Sequence, residues 1–259
     1  MRTPLRGRGG VLAPLLVLLG LLAGCTSDAP APTPSPSVSA TPTPTPTPTP
    51  TGPPASILAT AVGPGLDLYA EPDAPAPVRS LTPADVVSVP EVPLTALVVQ
   101  QDGDWLEVLV PAAPVEGAGV TAWVRADAVA LSSTTLRVEV QLAAHRLVVE
   151  DAGEVVLDVR VALGGAGVPA PGRYSITELL QPPAGGALLG AFAYGLSGHA
   201  PVLTAFAAGQ DPVAIHGGAP AEALGTDAAT GGVRLQDADV TRLVQEVGLP
   251  LGTPVDVIA

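Results

Sequence analysis

The sequence contains no lysine and a single cysteine, Cys25, and only 3% of its residues are aromatic. One cysteine excludes a disulfide framework and any thiolate-rich metal site within the chain. The three histidines, His145, His199 and His216, are too dispersed to form a zinc site, and no metal or cofactor is expected. Few aromatics, beside abundant Val and Ala, 29 Gly and 31 Pro, point away from a helical bundle toward short strands and many turns. Basic charge comes from 11 arginines alone, set against 24 acids, for a net of −13. A surface that negative repels phosphate backbones, which argues against nucleic acid as a partner. The 259 residues suffice for two modest domains held by their own cores.

What is present begins with "MRTPLRGRGGVLAPLLVLLGLLAGC". A basic start followed by an apolar run from Val11 to Ala23 reads as an export signal spanning residues 1–25. That run is short for a membrane-spanning helix. Removing the signal takes Arg2, Arg6 and Arg8 with it, leaving 8 arginines against 24 acids and a net of −16. Residues 26–54, dominated by alternating Pro and Thr, cannot build a core and favour an extended polyproline II chain. At a rise of about 3.1 Å per residue, this linker reaches on the order of 80–90 Å.

The stretch Leu22-Ala23-Gly24-Cys25 resembles the lipobox of bacterial lipoproteins. The resemblance implies that Cys25 is the lipidation site and becomes the acylated mature N-terminus. The protein is then exported to the cell envelope and anchored to the outer face of the bacterial membrane. That use consumes the only thiol in the chain.

Two folded regions follow the linker. From 55 to 132, "LDLYAEP", "ALVVQQ", "DWLEVLV" and "TAWVRADAVAL" are strand-like runs separated by turn signals. Trp105 and Trp123, with the closing "WVRADAV", resemble a bacterial Src-homology-3-like barrel. Such a barrel uses its tryptophans either as core fillers or toward a cell-wall peptide. From 134 to 259, "LRVEVQLAAHRLVVEDAGEVVLDVRVAL" predicts three strands with a hairpin turn at Asp151-Ala152-Gly153. "AYGLSGHAPVL" reads as a loop and "PVAIHGG" as a buried strand. One segment has helical period, with Val240, Leu243, Val244 and Val247 on one face, Asp237 as its cap and Gly248 as its end. The expected fold class is mainly β, a small barrel followed by a β-sandwich with one short helix.

His216-Gly217, Gly225 nine residues after the histidine, and the stretch Ala229-Thr230-Gly231-Gly232-Val233-Arg234 carry a second resemblance. The region 134–259 resembles an L,D-transpeptidase catalytic domain, the family that cross-links bacterial peptidoglycan. The family pattern is a His-Gly pair, a glycine at the same spacing, then Ser-His-Gly-Cys-hydrophobe-Arg. "VPAPGRY" and the ending "LPLGTPVDVI" fit the family's loop and last strand, the former loosely. The family's cysteine thiolate attacks a stem-peptide carbonyl, aided by a histidine.

Here the family's histidine and cysteine positions are Thr230 and Gly232, so no catalytic residue of the family remains. His216, Gly217, Gly231, Gly232 and Arg234 are the candidate substrate-binding residues. The glycine pair is expected to leave its backbone N–H groups open to a carbonyl or carboxylate. Arg234 either meets a carboxylate or braces loop carbonyls. His216 either lines the groove or bonds within the core.

The leading expectation is a lipoprotein with a degenerate domain that binds peptidoglycan stem peptides or regulates an active cell-wall enzyme. One alternative is an active enzyme using another nucleophile, for which Thr226 and Thr230 are the hydroxyls at hand. The other is a cell-wall spacer without a ligand.

Overall fold

The structure is a computed structural model and describes residues 53–89, 91–112, 117–165, 167–182, 188–227, 229 and 231–259. The export signal, Cys25, the linker as far as Gly52, and Thr230 lie outside the described residues. The strands of the first sheet come from β1 (Ser56–Ala61), β4 (Thr95–Asp102), β5 (Trp105–Leu109), β6 (Thr121–Arg125) and β7 (Val129–Thr134). The short pair β2 (Leu66–Leu68) and β3 (Arg79–Leu81) and the one-turn helix α1 (Pro83–Val86) lie between β1 and β4.

The five strands pair antiparallel in the order β6-β5-β4-β1-β7. In β6 the pattern is the one alternation demands, with Ala122 and Val124 buried and Thr121 and Arg125 exposed. A bridge from Tyr69 to Trp123 ties the β2–β3 pair to this sheet. Trp105 is 7% exposed and packs as a core residue. Tyr69 meets its ring edge-on at 4.9 Å, the Arg125 guanidinium lies 5.3 Å from its centroid, and its indole N–H donates to Asp73 at 3.3 Å.

The second sheet follows after Thr135. Its strands are β8 (Leu136–Gln141), β9 (Arg146–Asp151), β10 (Glu154–Arg160), β11 (Gly172–Leu180), β12 (Ala193–Leu196), β13 (Ala214–His216), β14 (Val233–Arg234) and β15 (Pro254–Ile258). Helices α2 (Val202–Ala207) and α3 (Asp237–Arg242) accompany them. The order is β10-β9-β8-β15-β11-β12-β13-β14, so the last strand of the chain sits in the middle of the sheet, parallel to β8. The fold is mainly β, as expected from composition and strand pattern. The three predicted strands β8 to β10 form, and Ala152 and Gly153 both take positive φ at the hairpin, the geometry of a tight two-residue turn.

Helix α3 continues as a π-helical turn over Leu243–Val247 and ends at Gly248, whose φ is 69°. Val240 and Leu243 are fully buried against the sheet, with Val244 and Val247 packed alongside. Asp237 does not cap this helix. The N-cap is Gln236, and the Asp237 carboxylate instead accepts the N–H groups of Ala191 and Gly218, at 3.0 and 2.9 Å. "AYGLSGHAPVL" is likewise not all loop, since its start is strand β12 and its end enters α2. All four residues of β12 are buried, so no alternation marks it, and six residues of α2 show too little period to be read.

The two sheets meet through a buried carboxylate. Glu178 on β11 is 3% exposed, and its two oxygens accept the N–H groups of Ser88 and Val202, each at 2.7 Å. The Ser88 hydroxyl oxygen in turn accepts the N–H of Leu203 at 3.2 Å. Two further backbone bonds cross the same seam, Gly198 N–H to the Val110 carbonyl and Gly119 N–H to the Arg173 carbonyl.

Candidate functional site

Strand β13 carries Ala214, Ile215 and His216 in full burial, which fits its apolar sequence between β12 and β14. It pairs in parallel with β14, setting His216 opposite Arg234. Two of the residues that the sequence pattern singles out, distant along the chain, are therefore neighbours. Gly217 follows with its N–H donating to the carbonyls of Leu189 and Phe192. A Cβ on Gly217 would lie 2.3 Å from Asp237 Oδ1, so the glycine makes room for the carboxylate that holds this turn. Gly225 takes φ of 79°, which favours glycine, and the Arg160 guanidinium, donating to the Leu224 carbonyl, lies in the space of its missing side chain.

His216 is 1% exposed. Its Nδ1 lies 2.9 Å from the Gly217 carbonyl, which places the proton of the neutral ring on Nδ1. Nε2 faces Gly232 and has no partner in full hydrogen-bond geometry among the described residues, although the Gly231 carbonyl lies near the ring. Burial pushes the imidazolium down to about 4, and the Arg234 guanidinium adds repulsion, while the Gly217 and Gly231 carbonyls and Asp211 oppose this only in part. The ring is therefore neutral near pH 7.

A pH-dependent stability follows. The unfolded chain protonates this histidine near 6.5, the fold only near 4, so the unfolded state gains the proton first as pH falls. Stability is full above about pH 6.5 and declines toward pH 4. At about 1.4 kcal/mol per pH unit the loss is about 3 kcal/mol by pH 4. In urea unfolding between pH 7.5 and pH 4, wild type should lose about that much more than His216→Gln. Equal losses in the two proteins would remove His216 as the cause.

Gly231 and Gly232 take φ of 68° and 65°, two left-handed residues in succession. A Cβ on Gly232 would stand 2.8 Å from the Ala214 carbonyl oxygen and 2.9 Å from His216 Nε2. Both glycines are buried. The segment around Gly165 and Gly167 lies against them so closely that a Cβ on Gly165 would be 2.6 Å from the Gly231 nitrogen. One on Gly167 would be 2.9 Å from the Gly232 nitrogen. The N–H groups expected to be open to a ligand are thus packed under a second glycine loop. That cover was not legible, because "GGAG" lies more than sixty residues before the turn it meets.

Arg234 Nη2 donates to the Gly218 carbonyl at 2.8 Å, which is the bracing role. The Thr226 hydroxyl donates to the Ala223 carbonyl at 2.8 Å. His145 pairs with Asp227 at 2.8 Å and links the β8–β9 turn to the loop before the glycine pair. His199 stacks on Tyr174 at 5.9 Å, and the Tyr174 hydroxyl donates to the Ala170 carbonyl of the "VPAPGRY" loop. Among the described residues, no group of three or more His, Cys, Asp or Glu is placed to hold a metal ion. Asp211 was not singled out in the sequence, yet its side chain borders both Gly165 and Gly231.

No protein-family model and no curated protein matches the chain. Among solved structures it is similar to L,D-transpeptidases. For a cysteine-to-serine mutant of the Enterococcus faecium enzyme the identity is 16% and the TM-score 0.35, over 48% of this chain and 50% of that one. For residues 123–326 of the Xylanimonas cellulosilytica enzyme the identity is 19% and the TM-score 0.36, over 49% of this chain and 62% of that one. For an enzyme of Mycobacterium tuberculosis the identity is 15% and the TM-score 0.39, over 55% of this chain and 67% of that one. The chain thus spans about half to two thirds of the length of these proteins.

Proposed function

We propose that the chain is an exported envelope lipoprotein whose region 134–259 is an L,D-transpeptidase-like domain that binds peptidoglycan without cross-linking it. In this reading the region 55–132 is a Src-homology-3-like barrel, and the linker 26–54 lifts both away from a membrane held through acylated Cys25. The observation that carries the reading is Gly232. It occupies the nucleophile position of the motif, faces the neutral ring of His216, and has no space for a side chain. A thiolate is the group that makes this chemistry feasible near neutral pH, and neither the thiol nor a charged histidine to stabilise it is present.

The domain's ligand is a peptidoglycan stem peptide, and an active cross-linking enzyme is the protein partner that such binding would regulate. The enzyme alternative requires a hydroxyl nucleophile within reach of a base. Thr226 spends its proton on Ala223, which weighs against it. The test is co-sedimentation of the full chain with isolated peptidoglycan sacculi, together with intact mass after exposure to a carbapenem. Retention with a dissociation constant of roughly 10 μM to 1 mM and no covalent adduct is the expected result. An adduct establishes an enzyme instead, and absence of retention leaves the spacer reading.

A further inference from the structure

Beside the closed glycine turn lies an open cleft of about 460 Å³, lined by His199, Ala205, Gln210, Asp211, Val213 and small neighbours. We propose that this cleft binds a small ligand through a primary ammonium group received by Asp211. The choice of a peptide-borne amine as one source rests on the peptidoglycan reading, and the ammonium chemistry itself does not.

Three observations carry the proposal. First, the Asp211 side chain is seated by two glycines. A Cβ on Gly231 would lie 2.6 Å from Asp211 Cβ and 2.8 Å from its Cγ, and one on Gly165 would lie 2.9 Å from Oδ2. A side chain at either place would crowd Asp211, so the two glycines leave the room that its side chain occupies at the edge of the cleft. Second, among the described residues Asp211 forms no ion pair with a cation, although it is exposed, and it is the only Asp, Glu, Lys or Arg of those lining the cleft. A carboxylate in a concave site favours a compact cation with several donors, and an ammonium has three. Ala205 and Val213 offer apolar wall to a methylene chain behind it, and the Gln210 amide adds a neutral polar partner.

Third, the walls are held in place before any ligand arrives. The His199 side follows Gly198, whose N–H is bonded to the Val110 carbonyl of the first sheet. The Ala205 side belongs to α2, whose first residues are pinned by Glu178 and Ser88. Preorganised walls lower the entropic cost of binding.

The test uses the full chain, titrated by NMR with two probes: cadaverine as a free diamine, and Nα-acetyl-lysine methylamide as a peptide-borne side-chain amine. Either should bind with a dissociation constant of roughly millimolar order, shifting resonances of Gly209 to Val213 and His199. Acetylating the probe's terminal amine, or substituting Asp211→Asn, should weaken binding at least tenfold. Binding by cadaverine alone assigns the site to free amines, and binding by the lysine probe assigns it to peptides. No shift with either probe at 50 mM, or equal binding after acetylation or in Asp211→Asn, overturns the proposal. Sacculus co-sedimentation run in parallel separates the two readings. Retention with silent amine probes removes only the ammonium site, and bound probes without retention remove only the peptidoglycan reading.

Discussion

Gly232→Cys should not restore a cross-linking enzyme, and should destabilise the fold by about 2–5 kcal/mol. A residue with a Cβ at φ of 65° pays about 1–2 kcal/mol for the left-handed conformation. Its Cβ would also press on the Ala214 carbonyl oxygen at 2.8 Å and the His216 ring at 2.9 Å. Neither is the far end of a flexible side chain, so backbone or ring must move, at a further cost of about 1–3 kcal/mol. The thiol would be buried beside a histidine that charges only near pH 4, so that ring supplies no imidazolium to stabilise a thiolate. Adding Thr230→His supplies the second family residue without relieving either contact. Calorimetric melting and intact mass after carbapenem exposure check this, with Gly232→Ala as the control that carries the strain without the thiol. A Gly232→Cys protein as stable as wild type that acquires the adduct would show that the turn is not closed as described.

Glu178→Ala should cost about 2–5 kcal/mol, because it leaves the N–H groups of Ser88 and Val202 without their acceptor in a buried seam. Glu178→Gln keeps one acceptor oxygen and turns a donor toward the other N–H, so roughly half that loss is expected. Urea unfolding measures the totals. Amide exchange locates them, since protection should fall first at Ser88, Val202 and Leu203. Because α2 forms one wall of the cleft, the same variant should weaken amine binding there. Exchange unchanged at those three amides in Glu178→Ala would mean that the seam is held by other contacts.

The strands of greatest clarity were legible because each has one face in a core and one in water. β6, β8 and β9 alternate cleanly, and the turn residues Asp151-Ala152-Gly153 mark where the chain reverses. Helix α3 declared itself through Val240, Leu243, Val244 and Val247. Local pattern failed at β12, where Ala193 to Leu196 are buried on both faces, and at α2, which is too short to repeat. The absence of a side chain at position 232, the acidic surface and the lone cysteine are properties of composition and order, so the sequence by itself determined them. It also determined which residues are spaced like a transpeptidase motif. Tertiary structure alone decided that β15 lies beside β8, that Gly165 and Gly167 close over Gly231 and Gly232, and that Asp237 serves two loops instead of a helix cap. It also decided that Asp211 has a seat between two glycines. Each of these depends on residues far apart in the chain meeting in close packing or in hydrogen bonds, and a linear pattern holds no record of such proximity.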